Sequence, residues 1–547
     1  MASVCSAEPA GVTITLTMPD PAALHIQYDL PPSCGELVFL NHALAPSDAR
    51  SMRAGWHAMD ACTRADGVRV MRTSPPGAAD GAADSACTRL RLRIPATAVD
   101  LDRVYPWAYP IGAGLYAHTS AFAVTDACGP VRWRVAAPGG TVVADGQVLG
   151  ESGVLPPGAG PAMALLFLPS ALPAGVRHYA DPALPAPLMA RVGAINARVE
   201  RWLGAAMPHQ PFQAPFTVTG TAPAGTWRGD VSNRALMRLT LPAQPDDQIS
   251  AELPGFLAHE LAHVAQPATY PDDGGETAML AEGGAEFLRW SAEAQLGWRA
   301  LPELDGQLER AINHCVAMAA GKAWRTVAAR RHGRLPYDCG LAFHVLALAA
   351  RDGQALGSAL SALDSYYTAA RNGAPAATLE CGGKAGCAPR WLPALAYSDT
   401  PLDTVLANYA RQHRWLRPAD GVPAGMERQL GFAVFSALMA IDCDGPGYFS
   451  DPQGPRIAYS RNCKTLRDGM RIVTAEGQAL VSDPGAPAAV AHACRARGKA
   501  ALGLHDGAIV EVPCDSRIPA PPRFYSLDMP PLLARLGIGL PPAVQRP

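Results

Sequence analysis

The segment running from Phe256 to Trp290, FLAHELAHVAQPATYPDDGGETAMLAEGGAEFLRW, constrains the chain more than any other. His259 and His263 are four residues apart. On a helix that spacing puts both imidazoles on one face, a turn apart, where they can share one tetrahedral ion. Leu253, Phe256, Leu257 and Leu261 give the surrounding residues helix-compatible apolar positions. Pro267 ends that helix soon after the second histidine. Eighteen residues separate His263 from Glu282, which opens EGGAEF on a second amphipathic stretch. Pro267 and the pair Gly274–Gly275 supply the break between the two helices.

The chemistry follows from the donor set. Two histidines and a carboxylate hold one Zn2+ per chain and leave a fourth position for water, as a catalytic site requires. Glu260, beside the first histidine, reaches that water without ligating and is placed to take its proton. Glu276 and Glu286 compete with Glu282 for the third ligand position. Glu282 is preferred because Gly283, Gly284 and Ala285 let two helices approach closely. Glu286, one turn on, is expected to accept a hydrogen bond from the other ring nitrogen of His259.

The rest of the chain sets the frame. At 547 residues it is too long for one core, and roughly three or four domains are expected. With 49% hydrophobic and 17% charged residues it is globular rather than disordered. The formal net charge is −2 and no Lys/Arg cluster stands out, so nucleic acid and anionic membrane are poor partners. No apolar run is long enough to span a bilayer.

Up to about residue 180 the pattern is all-β. VTITLTM from Val12, LHIQY from Leu24, VRVMR from Val68, TRLRLRI from Thr88 and VRWRV from Val131 alternate polar and apolar, the period of a half-buried strand. Gly/Pro-rich stretches separate them, and an antiparallel sandwich is the natural reading. Helical spacing then appears from Pro187 to Leu203, with strands at 216–219 and 235–241. From 305 to about 416 Ala- and Leu-rich helices dominate, rich in residues of high helix propensity. Short strands and turns return over about 428–517, around one Ala-rich helix at 487–498. The Pro-rich last thirty residues read as a tail.

Thirteen cysteines without a CxxC pair argue for disulfides rather than a zinc ribbon. Cys381 and Cys387 close the glycine-rich CGGKAGC. Cys443 with Cys463 and Cys494 with Cys514 are spaced like pairs, and an odd count leaves at least one thiol over. The N-terminal MASVCSAEPAG lacks a basic start and an apolar stretch, so no signal peptide is visible. A periplasmic or secreted protein written without its leader fits both observations.

HELAH, the eighteen-residue gap and LAEGGAEF together resemble the zinc signature of the gluzincin peptidases of the aminopeptidase N-like family. The resemblance implies a thermolysin-like α/β zinc domain and a peptide or protein substrate. It also implies a downstream tyrosine that hydrogen-bonds the tetrahedral intermediate. Tyr337, in LPYDCGLAFHVLALAA, stands at a similar distance before a similar apolar helix. The order of parts is more similar to the glycyl aminopeptidase-type enzymes, which carry a C-terminal PDZ domain. LRDGMRIVTAEGQALV resembles the PDZ turn and strand, with Asp468–Gly469 in place of Pro–Gly and Met470 in place of the acidic residue. QLGF at 429–432 resembles the PDZ loop that binds a peptide C-terminus.

The expected fold class is therefore multidomain. An N-terminal β-sandwich occupies 1–180, a thermolysin-like zinc domain 181–300, an α-helical domain completing the active site 301–425, a PDZ-like β domain 426–517 and a tail 518–547. One departure bears on specificity. The family holds the substrate amine with a Gly-x-Met-Glu-Asn strand, whereas this chain reads GTWRGDVSNRALMRLTLP there. Asp230 or Glu276 would have to substitute. A zinc-binding but inactive scaffold, an endopeptidase and a hydrolase of non-peptide bonds are the alternatives to an aminopeptidase.

Overall fold

The computed structural model describes residues 11–40, 53–73, 87–98, 107–156, 163–351, 358–443, 447–451, 453–458, 462–515, 518 and 522–541. The chain divides into two compact units, residues 1–197 with 213–253 and residues 198–212 with 254–547.

The first unit is built on alternation. In Val12–Asp20 the residues Val12, Ile14, Leu16 and Met18 are buried, while those between are half-exposed. That strand lies at the centre of a six-stranded sheet, in the order Ser152–Val154, Val131–Ala136, Val12–Asp20, Ala23–Asp29, Arg89–Pro95, His57–Ala58. A five-stranded antiparallel sheet runs Gln147–Gly150, Thr141–Ala144, Ala164–Leu168, Gly114–His118, Tyr109–Ile111. Inward residues of both, among them Ile14, Ile26, Leu92, Leu115, Leu165 and Phe167, share one core, which makes the pair a sandwich. Cys34–Cys128 and Cys62–Cys87 are disulfides in this unit.

The expected boundary near residue 180 does not mark the edge of a core. A four-stranded sheet in the order His178–Ala180, Phe216–Ala222, Leu236–Pro242, Arg228–Ser232 follows it. Phe216, Val218 and Leu236 of that sheet pack with Ile111, Val143 and Leu166 on the other face of the five-stranded sheet. Leu236–Pro242 is buried throughout, because it pairs on both edges and is covered on both faces.

Helices dominate the second unit and its approaches. They are α1 (Ala186–Ala206), α2 (Asp247–Ala265), α3 (Thr277–Gln295), α4 (Leu301–Ala319), α5 (Leu335–Ala349), α6 (Ala359–Arg371), α7 (Leu402–Gln412), α8 (Glu427–Asp442), α9 (Ala486–Arg497) and α10 (Met529–Leu536). Within this unit α3 and α5 cross at glycine on glycine. A Cβ on Gly283 would stand 2.2 Å from the Gly340 Cα, and one on Gly340 would stand 2.3 Å from the Gly283 Cα. Cys315–Cys339 ties α4 to α5, and Cys381–Cys387, Cys443–Cys463 and Cys494–Cys514 complete six disulfides among the described residues. Cys5 lies outside the described residues.

Two expectations for the C-terminal part are corrected. QLGF at 429–432 is no loop but lies within the first two turns of α8, because Leu430, Val434, Phe435, Leu438 and Met439 repeat at helical spacing and are buried. The four-stranded antiparallel sheet Gln478–Ala479, Ile472–Ala475, Lys499–Leu504, Ile509–Pro513 does form, with α9 packed on it. The segment read as a tail is folded over 522–541. Tyr525–Leu527 pairs with Leu416–Pro418, and the buried Asn313 amide bonds the Tyr525 backbone at both its nitrogen (2.9 Å) and its oxygen (2.8 Å). Two of its prolines, Pro530 and Pro531, sit at the first turn of α10, where a missing N–H costs nothing. No described helix is long and apolar enough to cross a membrane.

Candidate metal centre

The last two turns of α2 carry His259, Glu260 and His263. Leu257, Leu261, Ala262 and Val264 are buried around them, so the helix face is fixed by packing. The helix stops at Ala265, two residues before Pro267. Its last carbonyls are capped by Arg371, which donates to Ala265 O (2.8 Å) and Gln266 O (3.3 Å).

α3 brings the carboxylates. Glu282 Oε2 stands 3.2 Å from His259 Nε2 and 3.5 Å from His263 Nε2, and the two Nε2 atoms are 3.2 Å apart. Glu282 Oε2 is buried and receives no hydrogen bond of ordinary geometry. Four ligands about 2.0–2.1 Å from a tetrahedral zinc stand about 3.3 Å from one another. The three donor atoms therefore already occupy three corners of a zinc-sized tetrahedron, with lone pairs converging and little else to receive them.

Electrostatics agree with that geometry. Burial by itself would lower the His259 pKa, but Glu282 and Glu286 more than offset it and lift the imidazole to about 10. Burial would raise Glu282, yet the two imidazoles pull it down to about 2.

On its other side His259 Nδ1 faces Glu286 Oε1 at 3.2 Å, though without a hydrogen bond of ordinary geometry. Burial would raise Glu286, but Arg289 at 3.1 Å, His259 and Arg334 hold it well below the usual carboxylate range. Glu286 is therefore an anion that favours the proton on Nδ1 and leaves Nε2 to face Glu282. Glu260 is also buried.

Tyr337 lies in the first turn of α5. Its ring stacks on that of His259, centroids 5.5 Å apart and planes 26° apart, and the Arg334 guanidinium covers it at 4.8 Å. The Gly283–Gly340 crossing is what brings this turn of α5 beside His259. The sequence reading had the small residues after Glu282 close the gap between the two ligand helices. Gly283 instead admits α5, and Gly284 makes room for side chains. A Cβ there would stand 2.4 Å from the Tyr367 hydroxyl, 3.0 Å from Gln266 Nε2 and 3.5 Å from His344 Nε2.

The other candidates are committed elsewhere. Glu276, 2% exposed, binds Arg330 at 2.6 Å. In the first unit Asp230 binds Arg238 at 2.6 Å and accepts from the Tyr116 hydroxyl at 2.8 Å. Sequence reasoning missed Gln266, whose Oε1 lies 3.0 Å from His263 Nδ1. The available signal was its place one turn beyond His263.

No protein-family model and no curated protein matches the chain. Solved structures do. An aminopeptidase N family protein from Idiomarina loihiensis superposes over 97% of this chain and 100% of its own, with a TM-score of 0.52 at 12% identity. The chain has the aminopeptidase N fold. An M1 zinc metallopeptidase from Deinococcus radiodurans matches 71% of this chain and 94% of its own, with a TM-score of 0.36 at 16% identity. A two-domain M1 zinc metallopeptidase, an E323A mutant bound to L-arginine, matches 71% and 96%, with a TM-score of 0.37 at 16% identity.

Proposed function

We propose that this chain is a zinc-dependent peptidase whose metal is held by His259, His263 and Glu282. The observation that carries the reading is the convergence of three buried donor atoms at the mutual distances a tetrahedral zinc requires. Zinc, when bound, supplies a Lewis acid and makes water acidic enough to attack near neutral pH. Glu260 takes the proton from the attacking water. Glu286 holds His259 by its Nδ1 side. Tyr337 donates its phenol proton as a hydrogen bond to the oxyanion that develops on the substrate carbonyl. A phenol with a reference pKa near 10 does so without ionising.

The substrate is a peptide or protein. Asp230 and Glu276, the two anions that stood in for the family's amine anchor, are each neutralised by an arginine, so neither offers an uncompensated charge to a free amine. A peptide-binding role for the C-terminal sheet gains nothing from 429–432, which is helical. Six disulfides support a periplasmic or secreted protein.

The test is hydrolysis of aminoacyl-amides and of casein, with and without a chelator, by wild type and Glu260→Gln. Cleavage by wild type should need the metal. The variant should keep about one zinc per chain and lose at least ~100-fold in turnover, within the usual range for a general base. A variant within tenfold of wild type removes Glu260 from the mechanism. A zinc-loaded wild type inert on both substrates leaves the scaffold or a non-peptide hydrolase.

A further inference from the structure

We infer that Gln266 is a positioning residue that fixes His263 in its metal-binding tautomer and joins the two helices that carry the ligands. This rests on the zinc reading above. Gln266 is 3% exposed and follows the end of α2. Its Nε2 donates to Ala281 O at 2.7 Å, and its Oε1 lies 3.0 Å from His263 Nδ1. A backbone carbonyl only accepts, so the end of the amide at Ala281 must be the NH2. The end at His263 is then the oxygen, which also only accepts. His263 Nδ1 must therefore carry the proton, and the Nε2 lone pair is left facing Glu282 and His259.

Placement gives the amide a second consequence. Ala281 is the residue before Glu282, so one side chain bridges His263 on α2 and the backbone beside the third ligand on α3. The amide is itself confined from behind. The Tyr367 hydroxyl and Gln266 Nε2 both crowd the point where Gly284 would carry a Cβ, at 2.4 and 3.0 Å, with His344 Nε2 at 3.5 Å. Tyr367, fully buried on α6, thus backs the amide, and Gly284 is the residue that leaves space for the contact. Hydrogen-bonding partners of this kind change metal affinity by about 10–100-fold when removed.

The experiment measures the zinc dissociation constant of the full-length protein by chelator competition, without reference to turnover. Gln266→Met keeps the shape but neither accepts nor donates. It should weaken zinc about 10–100-fold, with the metal-free protein melting close to wild type. Gln266→Glu in its protonated form, one oxygen accepting the Nδ1 proton and the hydroxyl donating to Ala281 O, should recover most of that loss. Gln266→Met binding zinc as tightly as wild type overturns the inference. So does Gln266→Glu as weak as Gln266→Met, which would make the residue a packing element. Should Gln266→Met not fold, Tyr367→Phe takes its place, with a loss of a few-fold expected and an unchanged affinity counting against the bridge. His263→Ala calibrates the assay. A wild type that takes up no zinc brings down the peptidase reading itself, whereas a zinc-binding wild type with unaffected variants brings down this inference alone.

Discussion

Among the described residues two places, both in the second unit, gather three side chains of metal-ligating type within 4.8 Å, His259–His263–Glu282 and Asp442–Cys443–Cys463. By composition they are equals. They differ in what their lone pairs are doing. Cys443 and Cys463 are bonded to each other, and Asp442 accepts from Thr465 N at 3.1 Å and Leu466 N at 2.8 Å. That carboxylate caps a turn and the sulfurs clamp it. In the histidine cluster the donor atoms face one another, and Gln266 and Glu286 lie at the far sides of the rings, 3.0 and 3.2 Å from the Nδ1 atoms of His263 and His259. Ligand-type residues in proximity are common. Ligand-type residues with uncommitted lone pairs pointing at one spot are what a metal selects.

The sharpest way to break this comparison is to delete a ligand from each cluster. His259→Ala or His263→Ala should abolish zinc uptake in metal analysis of the purified protein. Replacing both Cys443 and Cys463 by Ser should leave about one zinc per chain and instead lower stability by about 2–5 kcal/mol, the usual cost of a native disulfide. Zinc retained in the histidine variants, or lost in the cysteine variant, reverses the assignment.

Next in size is Tyr337→Phe. Losing one oxyanion donor costs about 2.7–4 kcal/mol, on the order of a hundred- to thousand-fold in turnover. Substrate affinity and zinc content should hardly move. A variant with normal specific activity and a lower melting temperature would make Tyr337 a packing residue against His259.

The smallest effect concerns a histidine whose lone pair is committed to nothing charged. His344 is fully buried, and burial pushes its pKa down to about 4, although its Nδ1 hydrogen bond to Gly340 O at 2.7 Å works the other way. The unfolded chain, with a histidine pKa near 6.5, binds the extra proton first as pH falls. The contribution is therefore intact above pH 6.5 and is lost as pH falls from 6.5 towards 4, a difference on the order of 3 kcal/mol. Denaturant unfolding of wild type and His344→Gln across that window should show the steeper fall in wild type. Parallel curves would mean that His344 does not titrate on unfolding.

The sequence alone carried the local half of this site. Spacing put His259 and His263 on one helix face, and the Pro267 break and the run after Glu282 implied a second helix. Alternation likewise marked the strands from Val12, Leu24 and Thr88, since a half-buried strand has to alternate. What stayed hidden depends on long-range pairing. Cys34–Cys128 closes across 94 residues, and nothing near either cysteine announces the other. Asn313 holds Tyr525 across 212 residues, so a proline-rich end looked loose when it is bonded. Gly283 and Gly284 were read as serving the wrong neighbour, because a small residue reveals that something comes close but not what. The 429–432 segment failed differently, since a four-residue match to a loop outweighed a ten-residue helical repeat from Leu430 to Met439.

The contact of Gly283 with Gly340 has a consequence for tolerance. Where helices meet through side chains, their separation is adjustable, since a leucine can turn or a methionine can bend. Where they meet backbone to backbone, the spacing is set by the hard radii of main-chain atoms, and no repacking changes it. Glu282, the third proposed ligand, rides on α3 and the stacked tyrosine on α5, so the contact works as a gauge block. Cys339, the residue before Gly340, clamps one side of it through Cys315. A methyl group at either glycine would not loosen the centre but jam it open, moving Tyr337 and Glu282 apart as one rigid step.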